Sequence, residues 1–117
     1  MRKPAILITG ANGEMGHGLM VALHQANNIN IVALDLNQLD KSISGFCYEE
    51  IIGTILDKDL IEQLNGEYEF ETIYHLAALL STRAEFSPRS AHDVNVEGTL
   101  NLLNLALEQG RSQGRAI

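Results

Sequence analysis

At 117 residues the chain has room for one domain at most, and its composition is that of an ordinary globular protein: 45% hydrophobic, 20% charged and only 5% aromatic. A net charge of −7 argues against nucleic acid or an anionic membrane as a partner, because both call for a concentrated positive face. No apolar run approaches the roughly 20 residues needed to span a bilayer. The single cysteine, Cys47, excludes an internal disulfide, and residues 1–4 run straight into a short apolar segment with no signal-peptide core, so a reducing, cytoplasmic setting is expected.

Residues 5–9, Ala-Ile-Leu-Ile-Thr, form a short apolar run closed by Gly10 and are predicted to be a strand buried on both faces. From Met15 a helical period takes over, with Leu19, Ala22, Leu23 and Ala26 on one face, and Asn27 and Asn28 end it. Residues 31–34 read as a second buried strand that terminates in Asp35. The stretch 37–44 is polar and turn-rich. Residues 50–55 read as a third strand, Asp57 as the N-cap of a short helix through Leu64, and residues 72–77 as a fourth strand. A loop containing Pro88 leads to a helix over 90–109 closed by Gly110, and residues 115–117 have the character of a fifth strand's beginning.

Strands alternating with helices imply an α/β fold with a parallel sheet, and right-handed crossovers leave few topologies; the one expected is a partial Rossmann sheet ordered 3-2-1-4 with helices on both faces. Six strands complete a doubly wound dinucleotide fold, so this chain is expected to hold only the first part of one, over residues 1–117. In the turn after the first strand, Thr9-Gly10-Ala11-Asn12-Gly13-Glu14-Met15-Gly16, each glycine has a use: Gly10 for a tight turn, Gly13 for close approach of a pyrophosphate, and Gly16 for close packing of helix on strand. The phosphates would sit at the helix N-terminus, where free N–H groups favour negative charge. Asp35 ends the next strand nineteen residues beyond Gly16, where a carboxylate accepts from a ribose diol and repels a 2′-phosphate; no basic residue follows until Lys41, so NAD is expected rather than NADP.

The spacing TGxxGxxG resembles the short-chain dehydrogenase/reductase superfamily. Tyr74-His75-Leu76-Ala77-Ala78 and Val94-Asn95-Val96-Glu97-Gly98-Thr99 narrow the resemblance to its extended branch, the NAD-dependent epimerase/dehydratase type. Residues 77–81, Ala-Ala-Leu-Leu-Ser, look most like a threonine-dehydrogenase-like subgroup. The resemblance implies a cofactor-binding set of Gly10, Asn12, Gly13, Glu14, Met15 and Gly16 in the turn, Asp35 and Leu36 at the ribose, and Ile55 and Asp57 near the adenine. Leu76, Ala77 and Ala78 would face the cofactor's ribose and phosphate, with Asn95 on the nicotinamide side. Thr54 stands where relatives commonly carry an Asp that binds the adenine amino group.

Enzymes of this kind use a Tyr with a Lys four residues later as their acid/base pair. Here Tyr48, Tyr68 and Tyr74 are followed at that distance by Ile52, Thr72 and Ala78, so no catalytic residue is expected in this chain. The expected reading is the NAD-binding part of a longer oxidoreductase acting on a sugar nucleotide or small hydroxy compound, its substrate held by residues beyond Ile117; a stand-alone, non-catalytic dinucleotide sensor is the alternative. His17 and His24 lie seven apart, so no metal site is expected. His75 reads as a packed or hydrogen-bonded core histidine, His92 as part of the last helix's first turn, and Cys47 as an inert thiol. Ser81 reads equally as a substrate contact or a helix cap, and Arg83 as a surface side chain. On the final helix, Val96, Leu100, Leu103 and Leu107 are expected to pack on the sheet. Val94, Gly98, Leu102 and Leu105 form a second stripe, with Glu97, Asn101, Asn104 and Glu108 polar between the two; the resemblance implies a homodimer surface there, contact with the rest of a longer chain being the alternative.

Overall fold

The computed structural model describes residues 2–26, 29–77 and 93–117. The first strand, β1 (Lys3–Thr9), ends at the turn opened by Gly10, and its last five residues are buried. Parallel to it run β2 (Asn30–Asp35), β3 (Glu49–Ile52) and β4 (Tyr68–His75), in the sheet order β3-β2-β1-β4. Helix α1 (Glu14–Ala26) joins β1 to β2, and a one-turn helix α2 (Lys41–Ser44) lies between β2 and β3. Helix α3 (Lys58–Glu67) joins β3 to β4, and a π-helical segment, Asp93–Gly98, leads into α4 (Thr99–Gln113).

Period-two alternation splits the strands between two cores. Ala5, Leu7, Val32, Leu34 and Phe70 point to the face covered by α3 and α4, where they meet Ile61, Leu64, Leu102 and Leu105. Ile6, Ile8, Ile31 and Ala33 point to the face covered by α1 and α2, against Met20 and Ile43. Helices on both faces of a parallel 3-2-1-4 sheet are the arrangement expected from the order of elements.

Several boundaries differ from those expected. β3 stops at Ile52, because Thr54 turns the chain: its carbonyl accepts from Asp57 N at 3.1 Å and its hydroxyl from Leu56 N at 3.2 Å. The turn-rich stretch contains α2, whose N-cap Asp40 accepts from Ser42 N. β4 starts four residues earlier than its apolar run, because Tyr68 and Phe70 alternate with Glu69 and Glu71 and bury only one side. A bulge at Glu71 then shifts the register with β1, from Ala5 opposite Phe70 to Ile6 opposite Thr72. α1 turns Gly16 and Met20 inward, with Leu19 and Leu23 half-buried, whereas Ala22 and Ala26 are exposed. α4 runs past Gly110 to Gln113 and closes on left-handed Gly114, whose N–H donates to Gly110 O at 2.8 Å. Residues 115–117 form no strand. Asn27, Asn28 and the predicted loop with Pro88, Ser90 and His92 lie outside the described residues.

The two stripes of the final helix are exchanged relative to expectation. Leu102 and Leu105, expected at a dimer surface, are 4% and 2% exposed in the core, while Leu103 and Leu107, expected on the sheet, are 55% and 58% exposed. Asn101 and Gln109 decide the orientation. Asn101 Nδ2 donates to Ile55 O at 2.9 Å. Gln109, fully buried, accepts from Phe70 N at 2.9 Å and donates to Tyr68 O at 2.9 Å and Asn65 Oδ1 at 2.8 Å. Its amide thus stands in for a neighbouring strand along the outer edge of β4. Gln113 Nε2 extends the contact to Phe70 O at 2.8 Å. Leu102→Ala is expected to cost about 2–5 kcal/mol in urea denaturation, whereas Leu103→Ala should cost under about 0.5 kcal/mol. Equal losses would reverse the assignment of faces.

Candidate dinucleotide-binding site

A groove of about 910 Å³ runs along the carboxyl ends of the strands, within the size range of cofactor sites. It is lined by the β1–α1 turn, by Leu34 to Asn37 after β2, by Gly53 to Ile55 after β3, and by His75 to Ala77 at the end of β4. Of the expected cofactor residues, Gly10, Asn12, Gly13, Glu14, Met15, Gly16, Asp35, Leu36, Ile55, Leu76 and Ala77 all lie on it. Asp57 does not: its carboxylate accepts from Leu60 N at 3.2 Å and caps α3. Asn95 is not among the lining residues either; its carbonyl accepts from the Thr99 hydroxyl at 2.8 Å. Ala78, Ser81 and Arg83 lie outside the described residues.

The turn is built by steric necessity at two glycines. Gly10 has φ +67°, and a Cβ there would fall 2.7 Å from Ala77 N, so the turn is wedged against the end of β4. Its N–H donates to Leu34 O at 2.9 Å, which fastens the same turn to β2. A Cβ on Gly16 would lie 2.3 Å from Ala11 O, so α1 can leave the turn at this angle only with glycine there. Gly13 differs. A Cβ on it would meet nothing closer than Gly10 O at 3.3 Å, so packing inside the protein demands glycine there far less strongly.

Asp35 is held from two sides. Its Oδ2 accepts from Asn12 N and its Oδ1 from Asn37 N, each at 2.9 Å, which fixes the carboxylate plane and leaves further lone pairs for a ligand. Asn12 in turn accepts through Oδ1 from Asp40 N at 2.9 Å, and Leu39 N donates to Glu50 at 2.7 Å. The loop after β2 is therefore pinned at successive residues to the glycine turn and to β3. At the far end Ile55, 4% exposed, fills the space a side chain on Gly98 would need: a Cβ there would lie 2.3 Å from Ile55 Cδ1.

Beneath Ala77 runs a relay of side chains that single-residue motifs did not reveal. Ala77 N donates to Thr9 Oγ1 at 3.2 Å, Thr9 Oγ1 meets His75 Nδ1 at 2.8 Å, and His75 Nε2 meets Thr99 Oγ1 at 2.9 Å. The Thr99 hydroxyl spends its proton on Asn95 O, so it accepts from His75, and Nε2 carries the ring proton. In the neutral ring Nδ1 is then the acceptor of the Thr9 hydroxyl. Burial lowers the His75 pKa from 6.5 in the same sense. The expected core histidine is thus fully bonded. Thr9 and Thr99 were missed, although a hydroxyl at the buried end of an apolar strand was a usable signal.

These features define the first half of a doubly wound, dinucleotide-binding α/β fold, with its groove where strand order reverses between β1 and β4. Residues 6–116 match the model of the NAD dependent epimerase/dehydratase family, and the chain belongs to that family. NAD is the cofactor the family's description names. An uncharacterized epimerase/dehydratase of Staphylococcus saprophyticus is 34% identical over 106 residues, which are 88% of this chain and 32% of that protein. A monomeric L-threonine 3-dehydrogenase from a metagenome superposes with a TM-score of 0.78 at 38% identity, over 90% of this chain and 33% of that one. A UDP-glucose-4-epimerase from Stenotrophomonas maltophila, solved with bound NAD and formylated UDP-arabinopyranose, gives 0.76 at 27% identity, over 91% and 34%. The chain spans about a third of the length of the curated relatives it matches. Among the described residues no helix is long and apolar enough to cross a membrane, and no three His, Cys, Asp or Glu side chains gather as a metal site would require.

Because folded His75 titrates below its unfolded value, the unfolded chain binds the extra proton first, and stability is lost as pH falls through and below 6.5. His75→Gln should flatten that part of the urea-denaturation profile between pH 7 and pH 5. A profile parallel to the wild type would show that the ring is not held neutral.

Proposed function

We propose that this chain is the NAD-holding part of an oxidoreductase of the epimerase/dehydratase family, acting on a sugar nucleotide or a small hydroxy compound. The observation that carries the reading is the Asp35 carboxylate, fixed by two backbone N–H groups beside the glycine turn. The pyrophosphate would lie over Gly10, Asn12, Gly13, Glu14, Met15 and Gly16, at the N-terminus of α1. Gly13 supports this placement, since its missing side chain opens space on the groove side rather than within the protein. The adenosine ribose would bond to Asp35 beside Leu36, the base would lie at Gly53 to Ile55, and Leu76, Ala77 and Ala78 would line the path toward Asn95. Asp57 would serve by capping the helix behind the base rather than by contact.

When bound, NAD supplies a hydride acceptor; the residues here bind and orient it. The sequence contains no Tyr-x-x-x-Lys pair, so turnover is not expected of the chain by itself. The substrate classes are those of the similar solved proteins, threonine dehydrogenases and a UDP-glucose epimerase. A cytoplasmic setting fits the single cysteine. Calorimetric titration with NAD and NADP tests the reading. NAD should bind more tightly, and Asp35→Ala should weaken NAD by about tenfold to a hundredfold, the worth of hydrogen bonds to a charged group. An unchanged NAD affinity in that variant would remove Asp35 from the site.

A homodimer through the final helix also belongs to this proposal, on the face opposite to the one the sequence suggested. Val96, Leu100, Leu103 and Leu107 are 41–58% exposed and form one apolar stripe. Leu103→Glu with Leu107→Glu should lower the sedimenting mass to that of one chain without unfolding it; a mass equal to the wild type's would assign the stripe to another partner.

A further inference from the structure

The base end of the groove carries a chemical choice that its phosphate and ribose ends do not. Neighbouring strands lie about 4.8 Å apart, so a ligand with its phosphates over β1 and a ribose on Asp35 at β2 places its next unit over the end of β3. There the lining is Gly53, Thr54 and Ile55, with Leu36 exposed above them. The two carboxylates lining the groove, Glu14 and Asp35, belong to the turn and to β2, and the nearest acid in sequence, Asp57, is committed to Leu60 N. Of these base-end residues only Thr54 brings a polar side chain. Its hydroxyl oxygen already accepts from Leu56 N at 3.2 Å. A hydroxyl has one proton and two lone pairs, so one donor and one acceptor remain.

That residual pair is ambivalent. A carboxylate at this position could only accept, favouring a base with an amino group at its edge and repelling one with a carbonyl. The Thr54 hydroxyl can accept from an amino group or, by rotating, donate to a carbonyl. We propose that Thr54 removes the discrimination between 6-aminopurine and 6-oxopurine dinucleotides, so that the groove binds both. The inference rests on the NAD reading above and names Thr54 as the residue that sets base specificity.

Calorimetric titration of the chain with NAD and with nicotinamide hypoxanthine dinucleotide tests it. The two affinities should agree within about threefold, since a neutral hydrogen bond is gained in either case. Thr54→Ser, which keeps the hydroxyl, should leave the ratio unchanged. Thr54→Asp should shift it toward NAD by about tenfold or more, the difference between a charged hydrogen bond and an unpaired carbonyl beside a carboxylate. A tenfold preference for NAD in the wild type would overturn the proposal, as would a ratio that Thr54→Asp leaves near one. Binding of neither dinucleotide would overturn the NAD reading itself and this inference with it.

Discussion

The groove depends on one close approach of backbone to backbone, at Gly10. Three strands converge there: β1 delivers the residue, β2 receives its N–H through Leu34 O, and the end of β4 stands where its side chain would be. The left-handed φ disfavours most side chains, and the backbone 2.7 Å from a would-be Cβ excludes all of them. Because that residue is fixed, Asn12 lies within reach of Asp35, and Ala77 N within reach of the Thr9 hydroxyl. The loop after β2 and the relay through His75 are thus held by one turn, from opposite sides.

Much of this was legible in the residues themselves. Gly10 and Gly16 are constrained by sterics that leave a mark in sequence, and Asp35 closes an apolar run where no packing argument calls for a carboxylate. Alternating elements and handed crossovers left few sheet orders, the observed one among them. What escaped was set by partners distant in sequence. The hydroxyl of Thr9 matters because His75 comes to it from β4, and Asp57 reads equally well as a cap or a ligand until the helix behind it is placed. The bulge at Glu71 hid the first half of β4, because it changes which side chains face inward midway along the strand.

The final helix shows the limit most clearly. Hydrophobicity alone ranks the two stripes the wrong way: the exposed one holds three leucines and a valine, the other two leucines, a valine and a glycine. The ranking comes from amides. β4 presents Tyr68 O, Phe70 N and Phe70 O along an edge that no described strand pairs, and buried unpaired backbone groups cost about 1–3 kcal/mol each. Gln109 and Gln113 supply the missing partners. Rotating the helix to bury Leu103 and Leu107 would withdraw both glutamines and Asn101 together, so polar satisfaction overrides the apolar content of the two faces.

The same division between backbone and side chain orders the groove from end to end. The end proposed for the phosphates is made of glycines and main-chain N–H groups, which suit an anion and leave a recognisable spacing in the sequence. The end proposed for the ribose is one carboxylate, whose position two N–H donors fix and whose charge would disfavour a 2′-phosphate. The end proposed for the base offers one hydroxyl with a donor and an acceptor still to give. On that proposal the constraint on the ligand passes from shape to charge to the direction of a single proton. The outermost step is the one a single substitution can reverse without disturbing the turn that holds the rest.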